Sequence, residues 1–285
     1  MSDLYRSAAG RDVVRAWCEQ ELADWALPHT RRTVTTGLGE TSLVEAGTGA
    51  SLVVYLPGTN FNAATSRPVL EALVAAGYRV ACVDLPGQPG LSASTRPTDE
   101  VAGYAGWVGE VLAAVREPVT ERVVLVGHSR GAAVALGAEP DAVERLLLVS
   151  PAGLLDVRPS WPIVRATVPW LVRRNDAGSR RLVDFMTGPE RPFADATLVA
   201  WTTLVARRTR TSGAPGRAPD AVLHRWRGRS VHVLLGDRDC FFDADAQTRA
   251  ATADLGASTL LVPGGGHLLV DQVPDVVARA VAADH

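Results

Sequence analysis

The chain of 285 residues has no lysine. Its 29 basic side chains other than histidine are all arginine, set against 31 Asp and Glu for a formal net charge of −2. Together with the bias toward Ala, Val and Gly, the missing lysine reads as the codon composition of a GC-rich genome rather than as mechanism. So small a net charge argues against nucleic acid or a membrane as partner and leaves a small-molecule substrate as the expectation. Cysteine is scarce as well. Cys18, Cys82 and Cys240 are odd in number and far apart, with neither a C-x-x-C nor metal-ligand spacing, so free thiols in a reducing cytoplasm are expected. No uninterrupted apolar stretch is long enough to span a bilayer, and Met-Ser-Asp-Leu-Tyr-Arg at 1–6 lacks a hydrophobic signal core, so a cytoplasmic location is expected. Internal repeats and low-complexity tracts are also missing.

What is present is an alternation of short β-branched runs and helical patterns. An amphipathic helix is predicted over Asp3 to Trp25, ended by Pro28. A hairpin follows, Arg31–Thr36 and Thr41–Glu45 across Gly37-Leu-Gly39. Strands are predicted at 51–56, 78–83, 123–126, 145–150, 230–235 and 258–262, and helices at 63–76, 100–115, 130–138, 243–255 and 272–282. Strands and helices at this spacing imply βαβ units and a mostly parallel sheet. Residues 153–224 break the rhythm with prolines, tryptophans and helical segments near 161–174, 180–186 and 194–208, and read as an inserted helical cap between core segments 1–152 and 225–285. Arg207-Arg-Thr-Arg210 at its end reads as a solvated face.

The stretch around which the chain is organised is Arg122-Val-Val-Leu-Val-Gly127-His128-Ser129-Arg130-Gly131. A buried strand ends in Gly-x-Ser-x-Gly and a helical pattern begins at once, the context in which a sharp turn exposes a serine hydroxyl above a sheet edge. Gly127 and Gly131 let strand and helix approach, and the new helix N-terminus aims N–H groups at the site where an oxyanion would form. Two further loops follow strands, Gly236-Asp-Arg-Asp239-Cys240 and Pro263-Gly-Gly-Gly-His267. A serine hydroxyl is a weak nucleophile until an imidazole takes its proton and a carboxylate holds the imidazole. Ser129, Asp239 and His267 are the candidates, in the chain order known for such triads. Asp237 competes with Asp239 for the role of acid. Thr59 and the backbone of Arg130 are the candidate oxyanion donors, with Asn60 as fallback. The Arg130 side chain reads either as an ion pair from the elbow helix or as a hold on a substrate carboxylate or phosphate. Asn60, Trp161, Trp170 and Trp201 are candidate substrate-binding residues, each Trp also open to a reading as plain core. His128 is expected to pack beneath the elbow.

Gly-His-Ser-Arg-Gly at 127–131, Asp-Leu-Pro-Gly-Gln-Pro-Gly-Leu-Ser at 84–92, Gly-Asp-Arg-Asp at 236–239 and Pro-Gly-Gly-Gly-His at 263–267 together resemble the α/β-hydrolase family over nearly the whole chain. The resemblance implies an eight-stranded, mostly parallel sheet flanked by helices, with a helical cap inserted after the sixth strand. It also implies Ser129 as nucleophile, Asp239 as acid and His267 as base, with no metal or organic cofactor. The chain departs from the family in having Pro57-Gly58-Thr59 where His-Gly is usual, which touches the fine shape of the oxyanion loop. Relatives of this fold that dehalogenate or open epoxides use an aspartate nucleophile, against which Ser129 argues. The expected activity is hydrolysis of a carboxylic ester, lactone or thioester of a small apolar substrate through an acyl-enzyme. Thioesterase, carbon–carbon bond hydrolase and cofactor-free haloperoxidase chemistry share the same triad. A non-catalytic binding protein of the same fold is the alternative of another class.

Overall fold

A computed structural model of the chain describes residues 4–191, 195–210 and 213–282. Asp3 and Ala194, the expected starts of two helices, and Thr211 in the predicted linker lie outside them. Eight strands form one sheet: β1 (His29–Thr36), β2 (Gly39–Ala46), β3 (Ser51–Leu56), β4 (Arg79–Val83), β5 (Arg122–His128), β6 (Arg145–Val149), β7 (Val231–Gly236) and β8 (Ser258–Val262). Their order is β1-β2-β4-β3-β5-β6-β7-β8. Strands β4, β3, β5, β6, β7 and β8 run parallel, and β1 and β2 are the antiparallel hairpin at one edge. The mostly parallel eight-stranded sheet is the fold anticipated from the alternation and the resemblance.

Strands β3 to β6 read as nearly unbroken apolar runs because helices cover both faces of the sheet. One face packs α1 (Ala8–Ala23), α2 (Arg67–Ala75) and, near the C-terminus, α10 (Leu269–Gln272) and α11 (Pro274–Ala282). The other packs α3 (Glu100–Val115), α4 (Arg130–Ala135) and α9 (Ala244–Ala250), which runs on into a π turn at Ala251–Leu255. Between β6 and β7 lie α5 (Trp161–Arg173), α6 (Asp176–Thr187), α7 (Ala196–Arg208) and α8 (Asp220–His224).

Several helix bounds differ from those read in the sequence, each for a local reason. Ser7 accepts a hydrogen bond from the Gly10 amide at 3.0 Å and starts α1 later than expected. Tyr5 instead forms a β-bridge with Thr209, tying the N-terminal segment to the end of α7. The helix expected from Ala63 opens as a 3-10 turn, Ala63–Thr65, and α2 begins after it with a proline in its first turn. The last helix, expected over 272–282, begins at Pro274 as α11, and the short α10 precedes it. The five-residue α8 is too short to show a helical period in the sequence. Its Leu223 packs with Ala218 and Trp226 in the core beneath the sheet, away from α5–α7.

A parallel sheet sends the carboxyl ends of β3, β5, β7 and β8 to one edge. That edge, with α5–α7 above it, positions everything that follows.

Candidate active site

Ser129 terminates β5 and caps α4 with φ 51° and ψ −114°, a left-handed backbone that L-residues avoid unless their surroundings hold it. Two straps hold it here. Its amide donates to the Val149 carbonyl at 3.0 Å, and its carbonyl accepts from the Ala152 amide at 3.2 Å. Glycine is required on both sides. A Cβ on Gly127 would stand 2.5 Å from Ala132 Cα, and one on Gly131 would collide with the Leu56 carbonyl oxygen. The turn can close only where strand and helix backbones touch.

His267 leaves the loop after β8. Its backbone amide donates to the Met186 carbonyl at 2.7 Å, which hangs the loop on the end of α6. A Cβ on the neighbouring Gly266 would strike the carbonyl oxygens of Met186 and Thr187, so that approach requires glycine. The imidazole Nδ1 lies 2.7 Å from Asp239 Oδ2, and Nε2 lies 2.9 Å from Ser129 Oγ. A carboxylate only accepts, so Nδ1 carries the proton and Nε2 presents its lone pair to the serine hydroxyl. Both side chains of the His267–Asp239 pair are buried, at 5% and 4% exposure. The second oxygen of Asp239 accepts from the amides of Phe241 at 2.8 Å and Phe242 at 3.3 Å. The carboxylate is thus oriented by three donors. Phe241 packs edge-on to the imidazole at 4.7 Å between ring centres.

Asp237 goes elsewhere. Its carboxylate accepts from the Gly264 amide at 2.7 Å, joining the loops after β7 and β8 from the outside. Of the two candidate acids, the structure brings Asp239 to His267 and leaves Asp237 as a loop tie.

The loop after β3 abuts the serine. A Cβ on Gly58 would lie 3.3 Å from Ser129 Cβ and 3.0 Å from His128 Nδ1. His128 is buried beside the elbow and donates from Nε2 to the His267 carbonyl at 3.0 Å. Burial first, and then His267, push its pKa down to about 3, so it stays neutral and acts as a fixed donor. Asn60 has a left-handed φ of 64°. Its amide is taken by Gln88 Oε1 at 2.9 Å, and its carbonyl accepts from Trp201 Nε1 at 2.8 Å. With its N–H committed to Gln88, Asn60 loses the fallback role of oxyanion donor. It remains in the cavity wall.

Arg130 is a finding that the sequence left open. Its side chain is only 3% exposed and donates to Thr59 Oγ1 at 3.3 Å, to Glu100 Oε2 at 3.2 Å and to the Gly213 carbonyl. The guanidinium lies outside the cavity lining, so this geometry corresponds to the ion-pair reading, with the arginine buried rather than on the surface. Gln88 and Asp84, within the 84–92 motif, hold the neighbouring loops as well. Asp84 accepts from the Ala63 amide at 2.7 Å and the Leu91 amide at 2.8 Å, and burial pushes its pKa up to about 6. It stitches the loop after β4 to the loop after β3. The signal for both lay in the Asp-Leu-Pro-Gly-Gln stretch, whose polar side chains serve backbone amides.

A cavity of about 400 Å³ opens on Ser129 and His267. Thr59, Asn60 and His128 stand at its polar end. Ile163, Thr167, Trp170, Leu182, Met186, Trp201, Thr202 and Val205 from α5–α7 form much of its remaining wall, with Phe241 and Phe242 beside the histidine. Trp170 and Trp201 are thus both in the wall. Both indoles are also pinned by hydrogen bonds, Trp170 Nε1 to the Thr202 carbonyl at 2.9 Å and Trp201 to Asn60. Trp161 is not in the wall. It lies nine residues before Trp170, half a turn out of phase on α5, and is 75% exposed.

A sequence model described as the alpha/beta hydrolase family matches residues 53–280. The chain belongs to the alpha/beta hydrolase family. No curated protein sequence matches it. Solved structures of similar fold include naproxen esterase (carboxylesterase NP) from Bacillus subtilis, with a TM-score of 0.78 and 18% identity over 94% of this chain and 95% of that one. Another is carboxylesterase CesB from Bacillus subtilis, with a TM-score of 0.76 and 20% identity over 96% and 98%. A third is 2-hydroxy-6-oxo-6-phenylhexa-2,4-dienoate hydrolase from Rhodococcus sp. strain RHA1, with a TM-score of 0.68 and 19% identity over 90% and 100%. At these identities the likeness is one of fold. Among the described residues of this alpha/beta hydrolase, no group of His, Cys, Asp or Glu is spaced to hold a metal ion, and no helix is long and apolar enough to cross a membrane.

Proposed function

We propose that this alpha/beta hydrolase cleaves a carboxylic ester, lactone or thioester of a small apolar acyl compound through an acyl-enzyme on Ser129. The observation that carries the reading is the unbroken chain of hydrogen bonds from Ser129 Oγ through His267 to Asp239, opening on an apolar cavity. Ser129 Oγ attacks the carbonyl carbon while its proton passes to His267 Nε2. Asp239, held by the Phe241 and Phe242 amides, keeps the imidazole in the right tautomer and stabilises its charged form. The backbone N–H groups of Arg130, at the first turn of α4, and of Thr59 receive the oxyanion. His267 returns its proton to the leaving oxygen or sulfur. Water, deprotonated by the same imidazole, then attacks the acyl carbon; the bond to Ser129 Oγ breaks, His267 returns the proton to that oxygen, and the acid leaves. Asn60, Trp170 and Trp201 line the acyl site, and α5–α7 act as its cap. The known activities of the two carboxylesterases of similar fold are in keeping with this reading.

A fluorophosphonate probe followed by turnover of nitrophenyl esters of graded acyl length tests it. Labelling and turnover in the wild type, both lost in Ser129→Ala, are expected. An unlabelled wild type that binds but does not turn over acyl esters would instead assign the chain to the non-catalytic binding class.

A further inference from the structure

The outer face of α5 is apolar and uncovered. Trp161, Val164, Val168 and Val172 are all exposed, Val172 at 73%. At about 100° per residue these four fall within an arc of about 80°. The opposite face carries Ile163, Thr167 and Trp170, which line the cavity. The helix is therefore two-faced, one side roofing the cavity and the other presenting a hydrophobic stripe to solvent. Soluble chains rarely leave an aligned row of large apolar side chains open without a use for it.

Charge identifies what that stripe meets. The net charge of −2 hides a division. Residues 153–224 hold eleven arginines and six carboxylates, so they carry a surplus of five positive charges on a chain that is negative elsewhere. By the same count Arg165 borders the stripe and Arg173 stands in the last turn of α5 about 100° from Val172, while Arg158 precedes the helix and Arg180 and Arg181 stand on the adjoining α6, all of them exposed. Among the described residues none of these five forms an ion pair. Apolar side chains with a tryptophan at one end, and exposed arginines without ion pairs beside and beyond them, are the features of a helix that lies in the headgroup region of a bilayer. The arginine stems cover apolar surface while their guanidinium groups reach phosphate. A second copy of the chain fits this face poorly, because pairing two such stripes would set arginines against arginines.

We propose that α5 is a docking face for an anionic phospholipid surface, with Trp161, Val164, Val168 and Val172 seated among the acyl chains and the surrounding arginines on the headgroups. Docking places the roof of the cavity on the lipid. Only the consequence that an acyl substrate then enters from the bilayer rests on the esterase reading above; the docking itself does not.

The test is flotation of the full chain with vesicles of phosphatidylglycerol and phosphatidylcholine in equal parts, and with phosphatidylcholine alone. Wild type should float with the anionic vesicles and lose most of that binding in high salt or without phosphatidylglycerol. Val164→Ser/Val168→Ser/Val172→Ser should weaken partitioning by about tenfold or more, and Arg165→Glu/Arg173→Glu by a similar factor. Both variants should keep the melting temperature and the wild-type turnover of a soluble short-chain ester, which shows that the loss is one of docking. Wild type that stays with the soluble fraction, or a serine variant that floats as well as wild type, would overturn the proposal. So would a wild type that is dimeric in solution and that the serine variant turns into a monomer, since the stripe would then be a protein interface. Ester turnover reports separately on Ser129, so failure of docking leaves the catalytic reading untouched, and the reverse also holds.

Discussion

The sheet edge and the helices above it are built on opposite principles. At the edge, position is set by backbone. Ser129, His267 and Asp239 are placed by glycines that admit carbonyl oxygens at contact distance and by amides that bind a carboxylate or a neighbouring strand. In α5–α7, apart from the hydrogen-bonded Trp170 and Trp201, position is set by side-chain volume. Leu182, Met186 and Val205 fill a wall that many apolar residues could fill as well. In the first region a Cβ at Gly127, Gly131 or Gly266 would collide with backbone, and such limits leave a signature of residue types. The second constrains only polarity and bulk. Under the proposed hydrolase reading, the strand ends carry the chemistry and the helices laid across them select the substrate.

The sharpest break of that contrast is at the serine. Ser129→Ala is expected to lower ester turnover by about 10⁵-fold with little change in melting temperature, read by steady-state kinetics and calorimetry. Retained turnover in that variant would remove Ser129 from the chemistry. Next come the two acids on one loop. Asp239→Asn is expected to lower kcat by about 10⁴-fold. Asp237→Asn should cost the tie to Gly264, about 1 kcal/mol of stability, with a far smaller effect on rate. Equal rate losses would mean that the geometry of the loop, rather than the carboxylate beside His267, controls the reaction.

Asp271 in α10 lies at the seam between the two regions, near Asp195 at the head of α7. Burial first, and then the Asp195 charge, push its pKa up to about 8. An unfolded chain releases that proton near pH 4, so the folded state holds more protons between about pH 4 and pH 8. The stability contributed by the neutral carboxyl is complete below the unfolded value and is lost as pH rises through about 8. Asp271→Asn cannot ionise and should show no such decline. Its advantage over wild type should grow from near zero at about pH 4 to about 2–4 kcal/mol at about pH 9, followed by thermal melts across the range. A difference between the two proteins that does not change with pH would show that the seam carries no such proton.

The smallest effect is expected within the helices. Leu182→Trp fills part of the cavity and should lower kcat/KM for long acyl esters by about tenfold while sparing the shortest ones. A uniform loss at every acyl length would mean that α6 positions the site rather than sizes it.

How much of this was legible in the sequence follows from the same division. Residue order alone determined the strand–helix alternation, the mostly parallel sheet and the identity of Ser129 and His267 as candidates, because glycine and serine at a strand end obey steric limits that few other residues satisfy. It could not separate Asp239 from Asp237, since two carboxylates two residues apart look alike until the loop turns one toward the imidazole and the other toward Gly264. Nor could it tell Trp161 from Trp170, which share a helix and differ only in the face they occupy. The commitments of Arg130 to Thr59, Glu100 and Gly213 span three separate segments of chain. Contacts between residues distant in sequence are specified by packing as a whole, and only the tertiary structure decided them.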